Sequence, residues 1–262
     1  MTSGTELFSS IPEVNYQETP PSIQVEEFRK VVQSRRSVRV FTADPIPETI
    51  VRECLELALL SPNSSNLQPW EFHWVRSPDK KAKLITYCLS QPAAATAAEL
   101  IVCVARTQTW KENAAQMLKI FEEARKTPGV QVPAAAVAYY QKLVPFIYGQ
   151  GALGLLGCAK KLIFWVRGFF KPTPREPTSS SDMNLWAAKT VALAAETLML
   201  SFRAYDYDTC PLEGFDSTKV RRHLELPQDA FPVMIIAAGK RAANGIYGPR
   251  IRFDSKQFIK EL

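Results

Sequence analysis

Histidine is nearly missing from this chain. Only His73 and His223 occur among 262 residues, far apart in sequence. No cysteine pair stands beside either one. A zinc-type centre needs clustered His and Cys ligands, so no metal is expected. The five cysteines (Cys54, Cys88, Cys103, Cys158 and Cys210) contain no C-x-x-C spacing. An odd, scattered set argues against a disulfide framework and for a reducing compartment, here the cytoplasm. The opening MTSGTELFSS has neither a basic n-region nor an apolar h-region, so no secretory signal is expected. No internal repeat is visible.

Glycine is also scarce, at 11 residues, which makes GQGALG at 149–154 conspicuous. It fits G-x-G-x-x-G. A dinucleotide-binding turn needs a strand before it, a helix after it and an acidic residue about 20 positions on. LVPFIY before it is short and contains Pro145, and no acid stands at the required offset, Glu176 being the first. The pattern is therefore expected to be a decoy.

What the chain does have is apolar mass and positive charge. Hydrophobic residues make up 46%, enough for one substantial core. Net charge is +6. That suits an anionic ligand, nucleic acid or a membrane surface, or serves solubility alone. Nucleic acid fits poorly. The basic residues are dispersed, and no aromatics interleave with their one cluster.

The hydropathy pattern predicts helices around a few apolar strands. Residues 1–22 are polar and rich in Ser, Thr and Pro, and read as a flexible arm. Residues 24–34 suit a short amphipathic helix. Pro47-Glu48 marks another helix start, with Ile50, Val51, Cys54, Leu55, Ala58 and Leu59 at helical spacing. EFHWVR (71–76), LIVCVAR (100–106) and VMIIAAGK (233–240) read as strands. Residues 183–202 predict a long helix, apolar on almost every side, which belongs in a core or in a dimer interface. FFKPTPREPTSSSD (169–182) reads as a linker. The fold class is α+β, one domain over 23–262, without the regular alternation of a doubly wound sheet.

Four short stretches carry the candidate chemistry. Arg35, Arg36, Ser37 and Arg39 place three guanidinium groups and a hydroxyl within five residues. Arginine grips phosphate bidentately, although a solvated basic loop has the same composition. SPNSSNLQPW (61–70) offers Ser64, Ser65, Asn66 and Gln68 to a polar heteroaromatic edge, or is a plain helix-to-strand turn. CPLEGFD (210–216) contains Gly214, which permits close backbone approach to a planar ligand. GPRIRF (248–253) puts Arg250 and Arg252 on one side of an extended segment, which by itself is a charged edge strand.

Taken in order, these stretches resemble the flavin-dependent nitroreductase family over about residues 28–253. SPNSSNLQPW with RRSVRVF before it carries the most specific part of the likeness. The resemblance implies a mostly antiparallel central sheet flanked by helices and a homodimer with the long apolar helix at its interface. It implies FMN as cofactor and NADH or NADPH as electron donor. It casts Arg35, Arg36, Ser37 and Arg39 as phosphate and flavin-edge contacts, with Arg250 and Arg252 completing the phosphate clamp. Ser64, Ser65, Asn66 and Gln68 would approach from the neighbouring subunit. Pro211, Leu212, Glu213 and Gly214 would lie along the flavin ring, a backbone N–H of Glu213 or Gly214 near N5. Ser90 and Gln91 stand where the family often has Asn. Arg39 stands where it often has Lys, and FRAYDYDTC (202–210) replaces its Gly-rich turn.

The implied activity is ping-pong hydride transfer from NAD(P)H to an electron-poor acceptor such as a nitro-compound or quinone. No catalytic side chain is required, because the flavin carries the chemistry. Two other readings stay open: a flavin-binding protein without turnover, and a cofactor-free peripheral membrane protein. The second draws on residues 144–170, which are apolar but interrupted by Lys160, Lys161 and Arg167. Within an insert of about 140–180 they read as core or lid helices, or as an interfacial helix in weak contact with a membrane surface.

Overall fold

The computed structural model describes residues 17–262. Most of the expected N-terminal arm, residues 1–16, lies outside the described residues, and 17–22 is exposed coil. The first helix, α1 (Val25–Ser34), is followed by an extended stretch and α2 (Glu48–Leu59). Val51, Cys54 and Ala58 form the buried stripe of α2, three and four residues apart. Strand β1 (Trp70–Trp74), helices α3 (Pro78–Tyr87) and α4 (Pro92–Thr96), strand β2 (Glu99–Arg106) and helix α5 (Trp110–Ala124) come next.

An insert then leaves the sheet. It contains α6 (Ala134–Ala138), a π-helical turn (Tyr139–Leu143), α7 (Val144–Tyr148) and α8 (Leu155–Arg167). The chain returns through the 25-residue α9 (Ser180–Ala204), then β3 (Asp208–Leu212), α10 (Ser217–His223) and β4 (Ala230–Gly239).

All four strands pair antiparallel in the order β1-β2-β4-β3. Between β2 and β4 the register slips at Cys103/Val104, opposite Pro232 and Met234. Pro232 has no N–H to give the ladder, and a bulge is where a strand tolerates that. Strand β2 is covered on both faces, which is why it reads as an unbroken apolar run. Ile101, Cys103 and Ala105 join the core built on α9, α2 and β4, while Leu100, Val102 and Val104 join a second core with Cys210, Leu212 and Val220.

The long helix is the centre of the first core. Met183, Trp186, Ala187, Val191, Ala194, Leu198 and Phe202 are buried. Its outward stripe, including Leu185 and Leu193, is open to solvent. A capping box starts it: Ser179 Oγ accepts from the Asp182 N–H (3.1 Å) and Asp182 Oδ2 accepts from the Ser179 N–H (2.9 Å). That box sets the start at Ser180, inside the stretch that composition marks as linker.

Candidate active site

Burial of two apolar side chains fixes the arginine-rich segment. Val38 is fully buried and Phe41 nearly so. Ser37 forms a parallel bridge with Thr209 of β3, and Phe41 an antiparallel bridge with Arg241. The Val38 N–H donates to the Thr209 carbonyl at 3.0 Å. The segment thereby lies beside the start of β3. Arg35 and Arg36 stay half-buried there, and Arg39 is exposed.

The C-terminal segment folds back onto the same place. Arg250 Nη2 donates to the Gln33 carbonyl (2.8 Å) and to the Arg35 carbonyl, and Arg36 Nη2 donates to the Gly248 carbonyl (2.6 Å). Residues 248–253 are coil. The edge strand that alternation suggests is therefore replaced by side-chain bonds to the backbone of 33–35. Arg35, Arg36, Ser37, Arg250 and Arg252 line a cleft of about 210 Å³.

This cleft has surplus positive charge. The Arg250 pKa is drawn below the usual guanidinium value by loss of water and by repulsion from Arg252, Arg36 and Arg35. Among the described residues, the carboxylate that faces Arg35 is that of Glu196 on α9, with Nε to Oε1 at 4.0 Å. Arg35 Nη1 is buried and has no hydrogen-bond partner among the described residues, and neither has the Thr209 hydroxyl. Leaving a buried charged donor unpaired costs about 1–3 kcal/mol or more. A bound anion removes that cost. The residues present thus fit a phosphoryl group.

Beyond the cleft, β3 carries the next predicted residues. Leu212 is buried in the second core, while Pro211 is half-buried. Glu213 and Gly214 lie exposed beyond the strand end. The Gly214 N–H has no acceptor among the described residues. Gln91 Nε2 donates to the Gly214 carbonyl at 2.7 Å. Ser90, exposed, sits in a left-handed turn with Leu89, at φ 51° and 58°. Burial raises the Cys210 thiol pKa, and Arg39 and Arg35 partly oppose it. The structure therefore gathers Arg35, Arg36, Ser37, Arg250 and Arg252 in one cleft beside the start of β3, and joins Gln91 to Gly214 beyond the other end of that strand.

The serine loop lies apart from them. Ser65, Asn66 and Gln68 all have positive φ, at 58°, 48° and 44°. The Asn63 carboxamide oxygen holds this shape by accepting from the Gln68 N–H at 2.8 Å. Ser64 Oγ meets the Tyr148 hydroxyl at 2.9 Å. Ser65 Oγ meets the hydroxyls of Tyr139 (2.5 Å) and Tyr148 (3.0 Å), and Tyr140 donates to the Ser65 carbonyl at 2.8 Å. Burial raises the pKa of Tyr139 and of Tyr140. Asn66 and Gln68 line a separate cleft of about 260 Å³ with Asn113 and Met117 of α5.

Sequence alone does not single out these tyrosines; the doublet Tyr139-Tyr140 and the following Tyr148 are their only trace. GQGALG follows helix α7, and no strand precedes it. A Cβ at Gly157 would meet the Thr178 carbonyl at 2.2 Å, so glycine here serves close packing inside the insert. Lys160 is also unlike its pattern. It is fully buried, donates to the carbonyls of Ile147 (2.7 Å) and Pro177 (3.2 Å), and has its pKa lowered by that burial.

The nitroreductase family profile matches residues 32–240. The chain belongs to the nitroreductase family. An NADH dehydrogenase of Thermus thermophilus is 26% identical over 230 residues, covering 88% of this chain and 94% of that one. A nitroreductase-like protein of Streptococcus mutans superposes with a TM-score of 0.68 at 20% identity, covering 91% and 100% of the two chains. A structure from Exiguobacterium sibiricum, solved in complex with FMN, superposes at 0.64 with 22% identity, covering 94% and 100%. These two share the fold: an antiparallel sheet between helical layers.

Proposed function

We propose that this protein is an FMN-dependent NAD(P)H oxidoreductase that reduces an electron-poor acceptor, a nitro-compound, quinone or similar ring. One observation carries the reading: the buried, unpartnered Arg35 Nη1 in a cleft edged by Arg36, Arg250 and Arg252. These residues would hold the FMN phosphate by charge-assisted hydrogen bonds. FMN, when bound, supplies the hydride chemistry that no side chain offers. Gln91 fixes the turn that presents the Gly214 N–H, which has no acceptor among the described residues. NAD(P)H and acceptor would use the same open face in turn, giving ping-pong kinetics.

Ser64, Ser65, Asn66 and Gln68 would act from a second copy of the chain. Within one chain, no described hydrogen bond joins them to the arginine cleft. The open apolar stripe of α9, with Leu185 and Leu193, supports a homodimer built on that helix.

Spectroscopy of the purified protein tests the proposal. A yellow protein should bleach with NADH or NADPH and regain its colour on addition of a quinone or nitroaromatic. A protein that neither retains nor takes up FMN overturns the reading. One that stays yellow in the presence of both reductants is a flavin-binding protein without turnover.

A further inference from the structure

We propose that α8 is a membrane-surface helix that seats the protein on an anionic lipid bilayer. This inference does not rest on the oxidoreductase reading.

The argument starts from which face of α8 is packed. Gly157 and Lys160 are buried and Phe164 is half-buried. These positions stand three and four residues apart, so they define the inward face. Lys160 fastens that face to α7 and to the returning loop through the carbonyls of Ile147 and Pro177. The opposite face therefore points to solvent. It carries Leu155, Ala159, Leu162 and Val166, a stripe at i, i+4, i+7 and i+11. Leu155, Leu162 and Val166 are 68%, 63% and 46% exposed. Trp165 and Ile163 widen the stripe, and Phe169 and Phe170 extend it beyond the helix end, all of them exposed. Soluble monomers seldom leave more than roughly a few hundred Å² of contiguous apolar surface open.

Charge selects the occupant. At about 100° per residue, Lys161 and Arg167 fall on opposite flanks of the apolar stripe. Lys171 follows the helix, and no Asp or Glu occurs between Gly149 and Arg175; the acids of the returning loop, Glu176 and Asp182, line a cleft with Lys161 and Trp165 at one edge of the helix. A second copy of this surface would bring like charges together across the contact. A bilayer with anionic headgroups takes the apolar stripe into its interface and pairs the flanking cations with phosphate. The segment does not span. Among the described residues the one helix long and apolar enough to cross a membrane is Ser180–Ala204, which is mostly core.

Co-sedimentation of the full-length protein with vesicles tests this. Phosphatidylcholine vesicles are compared with vesicles mixed with phosphatidylglycerol, for the wild type, Leu162→Glu/Trp165→Glu and Lys161→Glu/Arg167→Glu. All four side chains are exposed, and circular dichroism checks the fold of each variant. The wild type should partition onto the anionic vesicles, and either double variant should lower that partitioning by about tenfold or more. Added salt should weaken it, and the emission of Trp165 should shift to the blue on binding, a shift lost in Trp165→Phe. The proposal fails if the wild type does not bind anionic vesicles. It also fails if the variants bind equally well, or if they change only the oligomeric state in size-exclusion chromatography.

Discussion

Gln91 donates through Nε2 to the Gly214 carbonyl at 2.7 Å, joining two turns 123 residues apart. The same Nε2 also reaches the Cys88 carbonyl at 3.1 Å. One side-chain amide thus holds the turn beyond β3 against the turn before α4. Gln91→Leu should free both carbonyls into solvent, with a stability loss of about 1 kcal/mol. FMN retention, followed by flavin fluorescence on dilution, should drop with it. Unchanged retention would show that the turn holds its shape unaided.

Gly214 gives a sharper contrast. Its φ is not positive, and an added Cβ would meet only Gln91 Nε2, at 3.3 Å. The fold alone does not require glycine there. Gly214→Ala should melt within a degree or two of the wild type, roughly 0.5 kcal/mol, while losing FMN affinity. If the variant unfolds early instead, glycine serves the chain itself rather than a ligand lying on the turn.

The capping box of α9 sets a pH dependence. Hydrogen bonds from the Thr178 and Ser179 backbone and side chains hold the Asp182 pKa below the usual carboxylate value, against some desolvation. A carboxylate with a lowered folded pKa stabilises above its unfolded pKa, and that contribution disappears as pH falls through the folded one. Asp182→Ala should cost about 1 kcal/mol at neutral pH. The gap from wild type should close as the solution becomes more acidic than the ordinary aspartate range. Urea melts at several pH values measure it.

The turn between α9 and β3 is held by charge. Asp208 is buried and accepts from Arg203 Nη1 (3.1 Å), Arg241 Nε (3.1 Å) and Arg241 Nη2 (2.6 Å). Asp206 takes the left-handed conformation, φ 62°, and accepts from Arg203 Nη2 at 2.5 Å. Asp208→Asn leaves two guanidinium groups without their shared carboxylate. It should destabilise by about 3–5 kcal/mol, read from a denaturant midpoint. A change under 1 kcal/mol would mean that solvent already screens the network.

Periodicity makes the framework legible in the sequence. The stripe Val51, Cys54, Ala58 and the double-sided apolar run of β2 are signals that burial writes directly into sequence. The arginine cradle is legible because its cations fall in two short clusters, Arg35 with Arg36 and Arg250 with Arg252. What periodicity does not encode is contact between distant polar groups. The pairing of Glu196 with Arg35, of Gln91 with Gly214, and of Ser65 with Tyr139 and Tyr148 spans scores of residues. Lys160 reads only as a charge interrupting an apolar stretch, because a lysine's type says nothing of the two carbonyls that accept from it. Leu212 reads as part of a turn, yet the ladder of β3 with β4 runs through it and turns its side chain inward.

Arg35 separates the needs of the fold from those of the ligand. Its side chain is 18% exposed, and Nη1 has lost water without gaining an acceptor. Three other guanidinium groups crowd the same cleft. In the ligand-free protein this is a destabilising arrangement, because like charges repel and a buried donor is unpaired. Arg35→Met keeps the length and apolar contact of the stem while removing the charge. The ligand-free variant should therefore be at least as stable as the wild type. Its affinity for FMN should fall by about tenfold to a hundredfold, the value of one charge-assisted hydrogen bond of about 1.5–3 kcal/mol. Thermal melts with and without FMN give both numbers from one preparation. If the variant is less stable than the wild type without FMN and binds it equally well, Arg35 serves the packing between α1 and α9, and the phosphate is held elsewhere.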